Sequence, residues 1–161
     1  MENAEYAARM EKERTMEGTA DILLVEDNPA DAEFALRALE KCGFGRRVAH
    51  VRDGAEALDY VASTGIFVRS RPASIPKLIL LDLGLQKMSG LHVLRQLKTD
   101  ERTKGIPVIV LTGSAIAIEV AESYKLGVNS YVIKPTDAQQ FADVVAEIVH
   151  YWLEVNQLPP S

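Results

Sequence analysis

The chain has 161 residues, room for one domain of ordinary size and a short appendage but not for two enzymatic domains. Apolar residues make up 47% and charged residues 25%, proportions that exclude a disordered chain or a fibre. Eighteen Lys and Arg against 23 Asp and Glu leave a net charge of −5, which argues against electrostatic binding to nucleic acid or an anionic membrane. Cys42 is alone, so neither an internal disulfide nor a multi-cysteine zinc site can form; it reads as a buried small hydrophobe in a reducing compartment.

Residues 1–19 mix acids and bases (Glu2, Glu5, Arg9, Glu11, Lys12) and lack an apolar segment of signal-peptide type, so they read as a charged extension outside the core. From Ile22 a regular alternation begins. Residues 22–25 are a short β-rich run; Asn28 suits a helix N-cap and Pro29 a first helical position; the helix runs to about Cys42, where Gly43 can take the left-handed conformation that ends it. Phe34, Leu36, Leu39 and the neighbouring alanines are its expected buried face. The unit repeats with strands at 47–51, 78–82, 108–112 and 130–133. They are followed by helices at 55–62, 90–98, about 115–126 and 137 to about 155. The apolar runs, such as 78–81, are far below the roughly 18 residues that span a bilayer, so a cytoplasmic protein without membrane contact is expected.

Continuous apolar strands alternating with helices imply a parallel sheet covered on both faces. The expected architecture is α/β, a flavodoxin-like doubly wound five-stranded sheet of order 2-1-3-4-5 with five flanking helices. Its ligand site lies at the carboxyl ends of the strands. Those ends carry Glu26 and Asp27 after the first strand, Asp82 at the third, Thr112 at the fourth and Lys134 after the fifth. Taken singly, Asp27 could cap a helix, Asp82 anchor a turn, Thr112 end a strand and Lys134 sit in solvent. Together they place three carboxylates at one sheet edge, a charge that a divalent cation would compensate, and all-oxygen donors suit Mg2+. His50, His92 and His150 show no metal spacing, and no phosphate-binding or dinucleotide glycine motif is present.

The strings ILLVEDNP (residues 22–29), LLDL (80–83), VLTG (110–113) and Lys134-Pro135 resemble the response-regulator receiver domain of two-component signalling. The resemblance covers about residues 21–150. Within that family the segment 65–76, the stretch 129–135 and Tyr151-Trp152-Leu153 are similar to single-domain regulators paired with phytochrome histidine kinases. It implies domains at 1–19 (extension), 20–150 (receiver) and 151–161 (helical extension and tail).

The resemblance further implies that Asp82 is the phosphoacceptor, a carboxylate nucleophile served by a phosphohistidine of a sensor kinase. It implies Mg2+ held by Asp27, Asp82 and the Gly84 carbonyl, with Glu26 acting through water. Lys134 and Thr112 would contact the phosphoryl oxygens, with Leu83, Gly84 and Gly113 around them. Thr112 and Tyr131 would form the conformational switch. Where the family often has proline and aspartate after the phosphoacceptor, this chain has Gln86 and Ser89, so a looser loop is expected. Gly84 and Ser114 are small and could leave room for an attacking water.

The resulting reading is a signalling receiver, not an enzyme acting on external substrates, with output through association or phosphate relay. Tyr151, Trp152 and Val155 are candidate contacts of a homodimer. The alternatives are a phosphate-independent pseudo-receiver scaffold, against which the set Asp27, Asp82, Thr112 and Lys134 argues, and a flavodoxin-like small-molecule binding module.

Overall fold

Five parallel strands, β1 (Ile22–Val25), β2 (Val48–Val51), β3 (Leu78–Leu81), β4 (Val108–Thr112) and β5 (Ser130–Ile133), form one sheet of order β2-β1-β3-β4-β5. The computed structural model describes residues 20–62 and 75–160; the 1–19 extension and most of the 65–76 segment lie outside them. The helices are α1 (Pro29–Lys41), α2 (Gly54–Ala62), α3 (Gly90–Thr99), α4 (Ala117–Lys125) and α5 (Ala138–His150). The anticipated fold class and strand order are thus those observed.

Period-two alternation along the strands divides the core. Leu23, Val25, Ile79, Leu81, Val108 and Val110 face one side, against Ala57 and Tyr60 of α2 and Val93, Leu94 and Leu97 of α3. Ile22, Leu24, Leu78, Leu80, Ile109 and Leu111 face the other, against Ala35, Ala38 and Leu39 of α1 and Phe141, Val145, Ile148 and Val149 of α5. Strands β1, β3 and β4 are buried throughout, which is why they read as unbroken apolar runs. Edge strand β5 is half-buried and ends on an exposed Ile133.

Asn28 caps α1 as expected: its Oδ1 accepts from the N–H groups of Ala30 and Asp31 at 3.0 and 3.1 Å. Gly43 closes the helix at φ +86°. Two expectations about α1 need correction. Its sheet-facing stripe is Ala32, Ala35, Ala38 and Leu39, and Phe34 lies off it, 42% exposed. The small side chains let the helix sit close to the sheet, and a residue one position away on a 3.6-residue helix is turned by about 100°. Cys42 is half-buried, packed at the margin of the second core. Smaller shifts are local: β2 begins at Val48 because Gly45–Arg47 forms a 3-10 turn, and α4 begins at Ala117 because Ile116 is its extended N-cap residue.

Asp137 caps α5, its Oδ1 accepting from the Gln140 N–H at 2.9 Å. The helix runs on into a π-helical turn, Tyr151–Val155. Of the three candidate dimer residues, Tyr151 and Val155 are exposed, whereas Trp152 is half-buried against the second core, its ring edge-on to Tyr151 at 5.2 Å. Among the described residues no helix is long and apolar enough to cross a membrane.

Candidate functional site

The strand register builds the site. Val25 pairs with Leu81, so Glu26 and Asp82 leave the sheet side by side; Leu81 pairs with Val110, and Thr112 pairs with Ile133 one residue before Lys134. Backbone bonds secure the exits: the Asp82 N–H donates to Val25 O at 3.0 Å, and the Lys134 N–H donates to Thr112 O at 2.8 Å. A cleft of about 530 Å³ opens here, lined by Asp27, Asp82, Leu83, Gly84, Thr112, Gly113 and Lys134 of the expected set, together with Asp31, Gln86, Ser114 and Glu119. Glu26 lies beneath it, buried, and reaches the cleft through Lys134.

Glu26, Asp27 and Asp82 each offer a carboxylate oxygen within 4.8 Å of the others. The Lys134 ammonium stands against this concentration of negative charge: Nζ is 2.6 Å from Glu26 Oε2, 3.0 Å from Asp31 Oδ2 and 3.6 Å from Asp82 Oδ1. One cation among so many carboxylates leaves a surplus of negative charge. Burial, reinforced by the nearby Asp82 charge, holds Glu26 above the ordinary carboxylate value, only partly offset by Lys134. Burial by itself would lower Lys134, but the hydrogen bond to Glu26 and the charge of Asp82 outweigh it and hold the ammonium above the usual lysine range. Hard oxygen donors with unbalanced charge fit a small divalent cation such as Mg2+.

The two departures from the family pattern acquire reasons. The Gln86 backbone N–H, which a proline would lack, donates to Asp27 Oδ2 at 3.1 Å and fixes that carboxylate. Ser89 is the N-cap of α3, its Oγ accepting from the His92 N–H at 3.2 Å, a task that serine and aspartate share.

On the opposite wall, Thr112 is buried and its Oγ1 accepts a long bond from the Ser114 N–H at 3.4 Å. The Ser114 hydroxyl donates to Glu119 and accepts from the Ile116 N–H at 3.3 Å. The Tyr131 hydroxyl donates to the Ser114 carbonyl at 2.9 Å, so the two expected switch residues meet at Ser114. Burial, then the charges of Glu119 and Asp82, push the Tyr131 phenol up.

Gly113 is open on its Cβ side, with nothing within 4 Å. A Cβ on Gly84 would make ordinary contact with Asp82 Oδ2 at 3.5 Å.

Sequence reasoning missed three contributors. Asp31 binds Lys134 across 103 positions of chain; its only signal was its place in the first turn after the Asn28 cap. Glu119 reaches the cleft through Ser114. Gly90 lies against the phosphoacceptor candidate's own backbone: a Cβ there would come 2.4 Å from Asp82 O and 2.5 Å from Leu83 Cα.

A parallel sheet of this order with an acid cluster, a threonine and a lysine at its carboxyl edge defines a class, and comparison with known proteins agrees. The family model of the response regulator receiver domain matches residues 22–146, and the chain belongs to that family of two-component signalling domains. Among individual relatives, it is 44% identical over 138 residues to the "Probable methanogenesis regulatory protein FilR2" of Methanothrix harundinacea, covering 86% of each chain. It is 37% identical over 140 residues to the response regulator Rcp1 of Synechocystis sp., covering 87% of this chain and 93% of that one. Its fold matches the phosphorylated cyanobacterial phytochrome response regulator RcpA with a TM-score of 0.81 at 39% identity, over 89% of this chain and 100% of that one. The bacteriophytochrome response regulator RtBRR matches at 43% identity and a TM-score of 0.69, over 89% and 86%. A Mn2+-bound form of Rcp1 is among the similar solved structures, at 37% identity and a TM-score of 0.79 over 86% of this chain and 98% of that one.

Proposed function

We propose that this chain is a cytoplasmic response regulator that accepts a phosphoryl group on Asp82 from a phytochrome-type sensor histidine kinase, with Mg2+. The observation that carries the reading is the convergence of Glu26, Asp27 and Asp82 on one cleft with Lys134 and Thr112 on its walls. Phosphoryl transfer asks for position and charge neutralisation more than for covalent machinery, and these side chains offer both. An Asp82 oxygen attacks the phosphorus of a phosphohistidine, the P–N bond breaks with its electron pair going to the imidazole, and an acyl phosphate remains. Asp27, Asp82 and the Gly84 carbonyl would hold the metal directly, with Glu26 acting through water. Bound there, Mg2+ supplies positive charge to the phosphoryl oxygens. Lys134 neutralises one of those oxygens, the Thr112 hydroxyl donates to another, and the small Gly84 and Gly113 leave the group space beside Leu83. As Thr112 turns inward it draws Ser114 with it, and the hydroxyl of Tyr131 on the Ser114 carbonyl carries the change outward.

The test is intact mass after incubation with acetyl phosphate, with and without Mg2+, on wild type and Asp82→Asn. A single Mg2+-dependent phosphoryl adduct absent from Asp82→Asn is expected; no adduct on folded wild type would make the chain a phosphate-independent scaffold. Transfer from a phytochrome kinase, and not only from a small donor, assigns the partner. Similarity to Rcp1, RcpA and RtBRR supports that assignment, and transfer solely from a kinase without a phytochrome sensor would overturn it. The homodimer reading now rests on the exposed Tyr151 and Val155. Light scattering on the same samples is expected to show a dimer that Val155→Asp weakens, and a monomeric wild type would end that reading.

A further inference from the structure

We propose that Asp31 is a positioning residue that competes with the phosphoryl group for the Lys134 ammonium and thereby restrains phosphorylation, an inference that rests on Asp82 being the phosphoacceptor. An ammonium has three N–H donors, and three carboxylates surround this one. The two shorter contacts, 2.6 Å to Glu26 and 3.0 Å to Asp31, are not to the acceptor, which stands at 3.6 Å. The third N–H is left toward Asp82, too far for a hydrogen bond, so a phosphoryl oxygen there gains a full contact only as the ammonium is drawn toward Asp82 and away from one of its two shorter partners.

Glu26 is a poor partner to displace. Its side chain is 4% exposed, its other oxygen accepts from the Asn28 N–H at 3.0 Å, and losing Lys134 would leave a buried carboxylate without its cation. Asp31 is different. It is 39% exposed, lines the mouth of the cleft from the first turn of α1 and can return to water at little cost. It is therefore the partner that exchanges. Until it does, its charge also faces any anion approaching Asp82, and nothing in the proposed chemistry requires a carboxylate there.

The experiment compares acetyl phosphate labelling of wild type, Asp31→Asn and Asp31→Glu in Mg2+, at low and high KCl, with thermal unfolding to confirm that each variant is folded. Asp31→Asn is expected to be labelled about three- to fivefold faster at low salt, the scale of a partly exposed ion pair, with the advantage shrinking as salt screens it. Asp31→Glu, which keeps the charge, should stay near the wild-type rate. A binding readout separates this role from a structural one: Asp31→Asn should bind beryllofluoride with Mg2+ several-fold more tightly while binding Mg2+ alone no more tightly than wild type. Labelling of wild type with Asp31→Asn unchanged or slower would overturn the role of Asp31 and leave Asp82 as phosphoacceptor; absence of labelling in wild type would overturn both.

Discussion

Helices α3 and α4 precede and follow β4, and they are attached in opposite ways. Helix α3 is capped by Ser89 and buries Val93, Leu94 and Leu97. Its far end is tied down: Thr103 Oγ1 donates to Leu97 O at 2.7 Å, and Lys98 Nζ donates to Ile106 O at 2.8 Å and Asn129 Oδ1 at 2.9 Å. Helix α4 starts at Ala117 after Ile116, an N-cap residue with no side-chain cap bond, buries only Ser123 and leaves Ile118 and Tyr124 exposed. Local stability follows buried contact, so the chain fixes the side of the cleft that follows Asp82 and leaves the side that follows Thr112 easy to move. Under the proposed function, a phosphoryl group adding about −1.5 to −2 charge would have only the weaker attachment to overcome.

The largest effects should fall where the attachment is strongest. Leu94→Ala is expected to lower unfolding free energy by about 2–5 kcal/mol in urea titration, because a fully buried side chain leaves a cavity. Ile118→Ala on α4 should stay within about 0.5 kcal/mol, and equal losses at the two positions would erase the contrast between the helices.

Lys98→Met comes next, at about 1–3 kcal/mol, since it strips the donor from Ile106 O and Asn129 Oδ1. Burial pulls the Lys98 ammonium below the ordinary lysine range, so the hydrogen bonds must outweigh that cost, and a Met variant as stable as wild type would show that they do not.

The smallest effect is a titration just beyond α3. The hydrogen bonds from Arg102, at 2.8 and 3.2 Å, hold the Asp100 carboxyl at about 2, below its ordinary 3.8. A folded value below the unfolded one means stabilisation present above 3.8 and lost as pH falls through about 2. An NMR titration should find that low midpoint, with Arg102→Gln returning it toward 3.8.

Local and periodic features were readable from the chain: the five apolar strands, the Asn28 cap, the Gly43 stop and the acids just past β1 and β3. Each depends on neighbours a few positions away, and the strand order then brings Glu26, Asp27 and Asp82 together. What escaped depends on distance or fine rotation. Asp31 finds Lys134 only when β5 lies beside β4 with its end at α1, and no spacing announces that pair. Phe34 looked like core because it is apolar, yet α1 turns its alanines to the sheet. Trp152 reads as an interface candidate because the apolar residues from Tyr151 onward continue the last helix; the structure packs it, half-buried, at the margin of its own core.

The hydrogen atom in place of a side chain at Gly90 has a mechanical consequence. With no room for even one carbon against Asp82 O and Leu83 Cα, the start of α3 and the carbonyl of Asp82 are wedged together. A displacement of α3 would therefore push directly on Asp82, and a force on that aspartate would be borne by the helix. Asp82 stands on an anvil, and under the proposed function a charge delivered to it would do its work on the looser wall opposite.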